Sequence, residues 1–434
     1  MESEEKLLEH YTDYLSGPGR QSDGSYTRLP FSPEYFETAR RLTELMEAEG
    51  LQVSQDAVGN VFGLRKGSGP DAKKIVTGSH LDSVKNGGKY DGILGVASSL
   101  LAVHRMNEEG VTLRDDLVVS GLQGEEGSPL GGTFGSRTLM GLVPEPDAEY
   151  AKVLKDFGID YDAVRSSHAD TSMWKEYLEL HIEQGKILES NHIDIGVVKG
   201  IVGITRYRIV VEGEANHAGT TPMDRRRAGL VAASARVLYI SRHAREAGGG
   251  FVATVGSLTV EPGAPTIIPG KVSMVLEMRD MSQQKIDHFL ADVRKYAEGI
   301  ETGKMDSLAP GAACAVTGAV TDGLEKAFRI SFHQMVQKAS VTCSGRIDDV
   351  IRNCCGEAGF SCRDMQSGAG HDSNAFGTKV PCAMIFVPSR GGFSHCREEY
   401  TSYEDAAKGA DVLYRTICAE GMIQRDGSLA AYTI

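Results

Sequence analysis

Hydrophobic and polar positions divide the chain into alternating helix-like and strand-like runs. Glu5 to Leu15 reads as a helix, followed by a polar loop to residue 30. Ser32 to Glu49 reads as a second helix, with Ser32 as cap, Pro33 at its first position and Gly50 as its stop. Leu51 to Arg65 alternates as a strand pair turning at Gly59 and Asn60. Ile75 to Thr77 is a short apolar strand leading into Gly78, Ser79, His80, Leu81 and Asp82, and a helix-like run follows from Ile93 to Val103. Leu117 to Gly121 reads as a buried strand, and Tyr177 to Ile182 alternates as another.

The pattern changes from Arg206. Tyr207, Ile209 and Val211 alternate, a turn spans Ala215 to Met223, and Arg225 to Glu246 reads as a long helix closed by glycines. Strands over Val252 to Val260 and Gly270 to Arg279 precede a helix from Ser282 to Ile300. Gly303 to Asp322 reads as a surface insertion, and Phe328, Ile330 and Phe332 alternate as a closing strand. This β-α-β-β-α order suits a small sheet covered by two helices. The earlier character then resumes: a helix from Asp348 to Gly359, a loop into a helix over Met365 to Phe376, a strand from Ala383 to Val387 and a last helix from Glu404 to Ala419. The fold class expected is α/β. A large domain, residues 1–205 and 339–434, holds a central mixed sheet flanked by helices, and residues 206–338 form a smaller inserted α+β domain. Gly200 and Gly203 read as the hinge.

Composition narrows the function. With 434 residues, two domains are the natural expectation. The net charge of −13 argues against nucleic acid or an anionic membrane as partner, and no basic block beyond Arg225 to Arg227 offsets it. The charged N-terminal stretch does not resemble a signal peptide, and no apolar run is long enough to span a membrane. Eight scattered cysteines without a CxxC pair imply reduced thiols and a cytoplasmic protein.

Candidate chemistry gathers where strands end. His80 and Asp91, each at a glycine-bounded turn, can converge on one cation. Asp82, two residues after His80 on an extended segment, is expected to hold the imidazole's second N–H. Glu125 and Glu126 follow the strand at Leu117 to Gly121. An adjacent carboxylate pair there suggests one metal ligand and one proton acceptor for water. His181 stands at a strand end before the turn at Gly185, as His80 does before its own.

The fragments GSHLDS, KYDG, GEEGS, LHIEQG, NHAGTTPM, SGAGHDS and SHCREEYTS occur in this order. Together they closely resemble the metal-dependent amidohydrolases of the M20 peptidase clan. The nearest branch is the carbamoylase group: N-carbamoyl-L-amino-acid amidohydrolases, β-ureidopropionases and allantoate or ureidoglycolate amidohydrolases. The resemblance runs from about Phe36 to Leu413 and implies a dinuclear centre of two divalent ions, Zn²⁺, Mn²⁺, Co²⁺ or Ni²⁺. His80, Asp91 and His181 would hold one ion, and Asp91, Glu126 and His395 the other. Glu125 matches the general base, with Asp82 and His217 as further catalytic residues. Gln184, His217, Thr266, Arg279 and Gly370 match substrate-binding positions, Arg279 for a carboxylate. His371 and Asp372 match a supporting part of the site. The resemblance also implies a small-molecule substrate and a homodimer formed through the inserted lid domain, with His217 and Arg279 able to serve the partner's site.

Three positions depart from the family pattern, all where substrate is chosen. Thr266 replaces an Asn near the substrate carboxylate, Ser128 to Leu130 replace the residues usual after the Glu pair, and Ala228 replaces an Asp. An amidohydrolase acting on a ureido or carbamoyl bond in a small acid is therefore expected. A dipeptidase or aminoacylase of the same clan is the alternative.

Overall fold

The computed structural model describes residues 2–302 and 328–421, with the short strands Gln424–Arg425 and Ser428–Leu429 beyond them. The insertion expected at 303–322 and the thiol of Cys314 lie outside the described residues. The chain divides into two compact units, Met1–Ile201 with Val341–Ile434, and Val202–Ser340.

Local rules account for the element starts. Ser32 is extended, and its side chain accepts from Tyr35 N at the head of the helix Pro33–Ala48. Such a cap contributes about 1 kcal/mol. The helix buries Tyr35, Thr38, Ala39, Leu42 and Met46, a stripe at helical spacing.

In the larger unit the sheet runs, edge to edge, through Gln52–Gln55, Val61–Arg65, Asp116–Leu122, Lys74–His80, Trp174–Ile182, Cys382–Val387, Ile195–Ile201 and Val341–Thr342. Its four middle strands, from Asp116–Leu122 to Cys382–Val387, are parallel. Parallel strands are covered on both faces, so they read as continuous apolar runs; Asp116–Leu122 and Cys382–Val387 are buried at every position. Leu117, Val119, Leu178 and Leu180 face the helices Ile93–Glu109 and Tyr403–Glu420 through Leu100, Val103, Val412 and Leu413. Val76, Val118, Leu122 and Tyr177 share the opposite core with Phe376 and Phe386. Gly78 adopts φ 146°, and a Cβ there would lie 2.0 Å from Ser120 O. Gly78→Ala should therefore destabilise by about 1–3 kcal/mol, because backbone must move against backbone. An unchanged urea midpoint would rule out this close approach.

The smaller unit is an antiparallel sheet ordered Arg329–Lys338, Gly203–Glu212, Lys271–Asp280 and Val252–Glu261. Lys271–Asp280 alternates strictly in burial. Val272, Met274, Leu276 and Met278 pack against Ile286 and Val293 of the helix Gln283–Thr302, with Ala232 and Ile240 of the helix Gly229–Ala247 in the same core.

Gly200 and Gly203 flank the boundary between the units at Ile201 and Val202, and both are paired within strands, with Thr342 and Asp280. Two expectations change. The helix expected from Arg225 begins at Gly229, because the preceding backbone bonds elsewhere: Arg227 O accepts from Glu214 N, and Gly229 N donates to Pro269 O. Met365 to Ser367, read as the start of a loop, end a strand, Cys362–Ser367, that is parallel to Ile195–Ile201. Its polar composition hides the partner that makes it one.

Candidate metal centre

Parallel strands bring their carboxyl ends to one edge, where open α/β sheets carry their sites. His80 ends Lys74–His80, His181 is the penultimate residue of Trp174–Ile182, and Glu125 and Glu126 follow Asp116–Leu122. His395 comes from the loop after Cys382–Val387. Asp91 sits in the turn before the helix Ile93–Glu109. The next residue, Gly92, has φ 67°, and a Cβ there would lie 2.5 Å from His80 Nδ1. Only glycine lets the turn close over the imidazole.

Asp91 faces both halves of the cluster. Its Oδ1 is 3.3 Å from His80 Nε2 and 3.1 Å from His181 Nε2. Its Oδ2 is 3.3 Å from His395 Nε2, which lies 3.3 Å from Glu126 Oε1. Three ligand-like groups result: His80, Asp91 and His181; Asp91, Glu126 and His395; and His80, Glu125 and Glu126. His80 Nδ1 is 3.0 Å from Asp82 O, and His181 Nδ1 is 2.9 Å from Ile182 O. A carbonyl only accepts, so each Nδ1 carries a proton and each Nε2 is the atom that faces Asp91 Oδ1. An imidazole nitrogen and a carboxylate oxygen this close are reconciled by a cation between them, a proton in the metal-free protein or a metal ion. The donor set therefore fits divalent ions at two positions that share Asp91. The field seeks positive charge strongly. Burial alone would depress the His80 pKa, yet the hydrogen bond to Asp91 and the charges of Glu125 and Asp82 hold it well above the ordinary value. Burial also acts to raise Asp91, but hydrogen bonds from His181, His395 and His80 keep it well below the usual carboxylate range.

Asp82 differs from its expected role. The main-chain oxygen of Asp82, not its carboxylate, faces His80. The carboxylate accepts from Gly124 N at 2.8 Å, Glu125 N at 3.2 Å and Glu126 N at 3.0 Å. After Leu81 the chain turns its side chain toward the neighbouring strand's exit, so Asp82 fixes the turn that carries the Glu pair. Of that pair, Glu126 is buried, while Glu125 keeps partial access to solvent. The Glu125 pKa is pushed well above the carboxylate range by burial, which with the charges of Glu126, Asp372 and Asp82 outweighs His80. A carboxyl held there suits proton transfer. Gly370 adjoins it: a Cβ at that position would lie 3.8 Å from Glu125 Oε1. His371 does not join the ligand groups. Its Nε2 meets Ser367 Oγ at 2.7 Å, and its ring packs edge-on against His181, while Asp372 accepts from Ser136 Oγ.

Gln184, at φ 57°, donates Nε2 to Asp91 Oδ2 at 2.9 Å and to Ser394 Oγ at 3.2 Å. Its Oε1 is buried and meets no hydrogen-bond donor among the described residues. In the smaller unit, His217 is exposed, and its Nδ1 accepts from Gly219 N and Thr220 N, so Nε2–H is the donor it presents. Thr266 is exposed beside it across the Ala218 N to Thr266 O bond. Arg279 lies near the end of Lys271–Asp280, where Nε donates to Glu277 Oε1 at 2.8 Å.

Sequence reading passed over Glu399, Ser394 and Glu179. Glu399 is buried, and its Oε1 accepts from Tyr90 N and Asp91 N. Glu179 is buried and accepts from Ser79 Oγ and from Ser373 N and Oγ. A Glu inside the apolar strand YLELHI was a readable signal. Glu399 was not, since Glu398 beside it has the same chemistry and is exposed.

The sequence profile of peptidase family M20/M25/M40 matches residues 76–419. An N-carbamoyl-L-amino acid amidohydrolase of Geobacillus stearothermophilus is 35% identical over 412 residues, 93% of this chain and 95% of that protein. An allantoate amidohydrolase of Bacillus subtilis (strain 168) is 34% identical over 420 residues, 93% of this chain and 96% of its own length. The crystal structure of an amidase of the hydantoinase/carbamoylase family from Burkholderia multivorans superposes with a TM-score of 0.81 at 28% identity, covering 95% of this chain and 97% of that one.

Proposed function

Because the chain belongs to peptidase family M20/M25/M40, we propose that it is a metal-dependent amidohydrolase that cleaves a C–N bond of a ureido or carbamoyl group in a small carboxylic acid. The observation that carries this reading is Asp91, with one oxygen facing two imidazole Nε2 atoms and the other facing a third, beside Glu125. Relatives named for carbamoyl and allantoate substrates support the choice of bond. So does Gln184 Oε1, a buried acceptor suited to a ureido N–H.

His80, Asp91 and His181 would hold one divalent ion, and Asp91, Glu126 and His395 the other; zinc, manganese, cobalt and nickel all suit such N and O donors. Bound cations supply Lewis acidity to water and to the scissile carbonyl. Glu125 accepts the proton of the attacking water and returns it to the leaving nitrogen. Asp82 holds the backbone of residues 124–126 and so aims both glutamates. His217 Nε2–H donates to the developing oxyanion, Arg279 receives the substrate carboxylate, and Thr266 is a further substrate-binding residue. An N-carbamoyl acid plus one water would give the amino acid, CO₂ and ammonia. The reading includes a cytoplasmic homodimer joined through the smaller unit; light scattering should return a dimer mass.

A panel of N-carbamoyl, ureido and N-acyl acids tests the activity. Amine and ammonia should appear together from the first two classes. Turnover of N-acyl acids or dipeptides alone, without ammonia, would move the protein to the aminoacylase side of the family. Within the panel, Arg279→Lys should lower kcat/KM for acids about 10- to 100-fold while sparing their amides, since Lys cannot make the forked contact worth ~1.5–3 kcal/mol. Thr266→Asn should shift preference toward simple N-carbamoyl-L-amino acids by restoring a second hydrogen-bonding atom. An unchanged profile in both variants would refute the selectivity assignment.

A further inference from the structure

We infer that Glu399 and Ser394 are positioning residues that clasp the loop bearing His395 onto the turn bearing Asp91, and so reserve Asp91 Oδ2 for the second cation position. The inference rests on the two-ion reading above. Glu399 is 4% exposed in a loop whose neighbours Arg397 and Glu398 face solvent. No Lys or Arg lies within ion-pair distance of it among the described residues; backbone and a hydroxyl satisfy it instead. Oε1 accepts from Tyr90 N at 2.9 Å and Asp91 N at 3.0 Å, and Oε2 faces Ser394 Oγ at 3.0 Å. The approach is close enough that a Cβ on Gly88 would lie 2.1 Å from the carboxyl carbon. A buried carboxylate is costly to keep unless every oxygen is used.

Ser394 connects this clasp to the ligands. Its Oγ lies 3.1 Å from Asp91 Oδ2, and Gln184 Nε2 donates both to that oxygen and to Ser394 Oγ. The Gln184 amide and the Ser394 hydroxyl, whose one proton is shared between Oδ2 and Glu399 Oε2, thus line Oδ2, while Oδ1 faces the Nε2 atoms of His80 and His181. The clasp also brackets His395 in sequence, pinning the chain at residues 394 and 399. His395 needs this support: it is half-exposed and stands at φ 57°. His80 and His181 are held by main-chain carbonyls outside the clasp. Loss of the clasp should therefore weaken the second position and spare the first.

The test is titration of metal-free protein with Co²⁺ against a competing chelator, following the d–d absorption of each ion. Wild type should bind two ions. Ser394→Ala and Glu399→Gln should bind the first with unchanged affinity and the second about 10- to 100-fold more weakly, the usual effect of removing a ligand's hydrogen-bond partner. Ser394→Thr, which keeps the hydroxyl, should restore the second ion. Equal affinity for both ions in the two variants, or equal weakening of both, overturns the positioning role while leaving the hydrolase reading intact. A wild-type protein that binds fewer than two ions overturns the two-ion reading instead. If Glu399→Gln does not fold, Ser394→Ala decides alone, because it removes only a hydroxyl.

Discussion

An Asp91→Ala variant is expected to lose both divalent ions and all measurable turnover. Asp91 is the one residue common to the two outer ligand groups, with Oδ1 serving His80 and His181 and Oδ2 serving His395. Removing it takes a negative donor from each position at once, leaving His80 and His181 without the carboxylate they face and His395 with Glu126 alone. Affinity that depends on several donors falls steeply when a charged one is lost. The fold should survive, since the turn is also held through backbone: Glu399 accepts from the N–H groups of Tyr90 and Asp91, and Ile93 N and Leu94 N bond to Asp91 O and Tyr90 O. Elemental analysis and circular dichroism on the same sample separate metal loss from unfolding. A folded Asp91→Ala protein that keeps two ions and full activity would falsify the shared-carboxylate centre.

Glu125→Gln should keep its ions and its substrate affinity while kcat falls about 10²- to 10⁴-fold, the usual share of general acid–base catalysis. The substitution keeps the shape and the hydrogen bond from Glu125 N to Asp82, which is main-chain. It removes only the capacity to take and return a proton. Glu126→Gln should behave differently and weaken the ion at the second position, because Glu126 is the carboxylate beside His395. The contrast between neighbours carries the test. If Glu125→Gln turns over near the wild-type rate, or if it loses metal while Glu126→Gln does not, the roles of the two carboxylates are exchanged.

The Glu pair shows how far the sequence reaches. Two carboxylates after a buried strand announce metal and proton chemistry, and the residues alone leave open which does which. Burial of Glu126 against His395 and the partial exposure of Glu125 support the division proposed above. Asp82 makes the same point. Its spacing from His80 was legible, but its carboxylate turns to Gly124, Glu125 and Glu126, more than forty positions later in the chain. The strand Cys362–Ser367 was hidden because its polar residues acquire strand character only from pairing with Ile195–Ile201.

What the sequence determined by itself is therefore local and periodic: the capped helix from Pro33, the apolar runs that read as strands, and the glycine turns that follow His80 and His181. These features depend on residues a few positions apart, whose hydrophobic spacing and backbone preferences act whatever lies elsewhere. Tertiary structure decided the rest. Glu399 and Glu398 are identical side chains at adjacent positions, yet only Glu399 meets the amides of Tyr90 and Asp91, across 309 and 308 residues. Its role comes from desolvation and hydrogen bonding. Both are properties of where packing brings distant segments together, and neither is written in the residue type or its near neighbours.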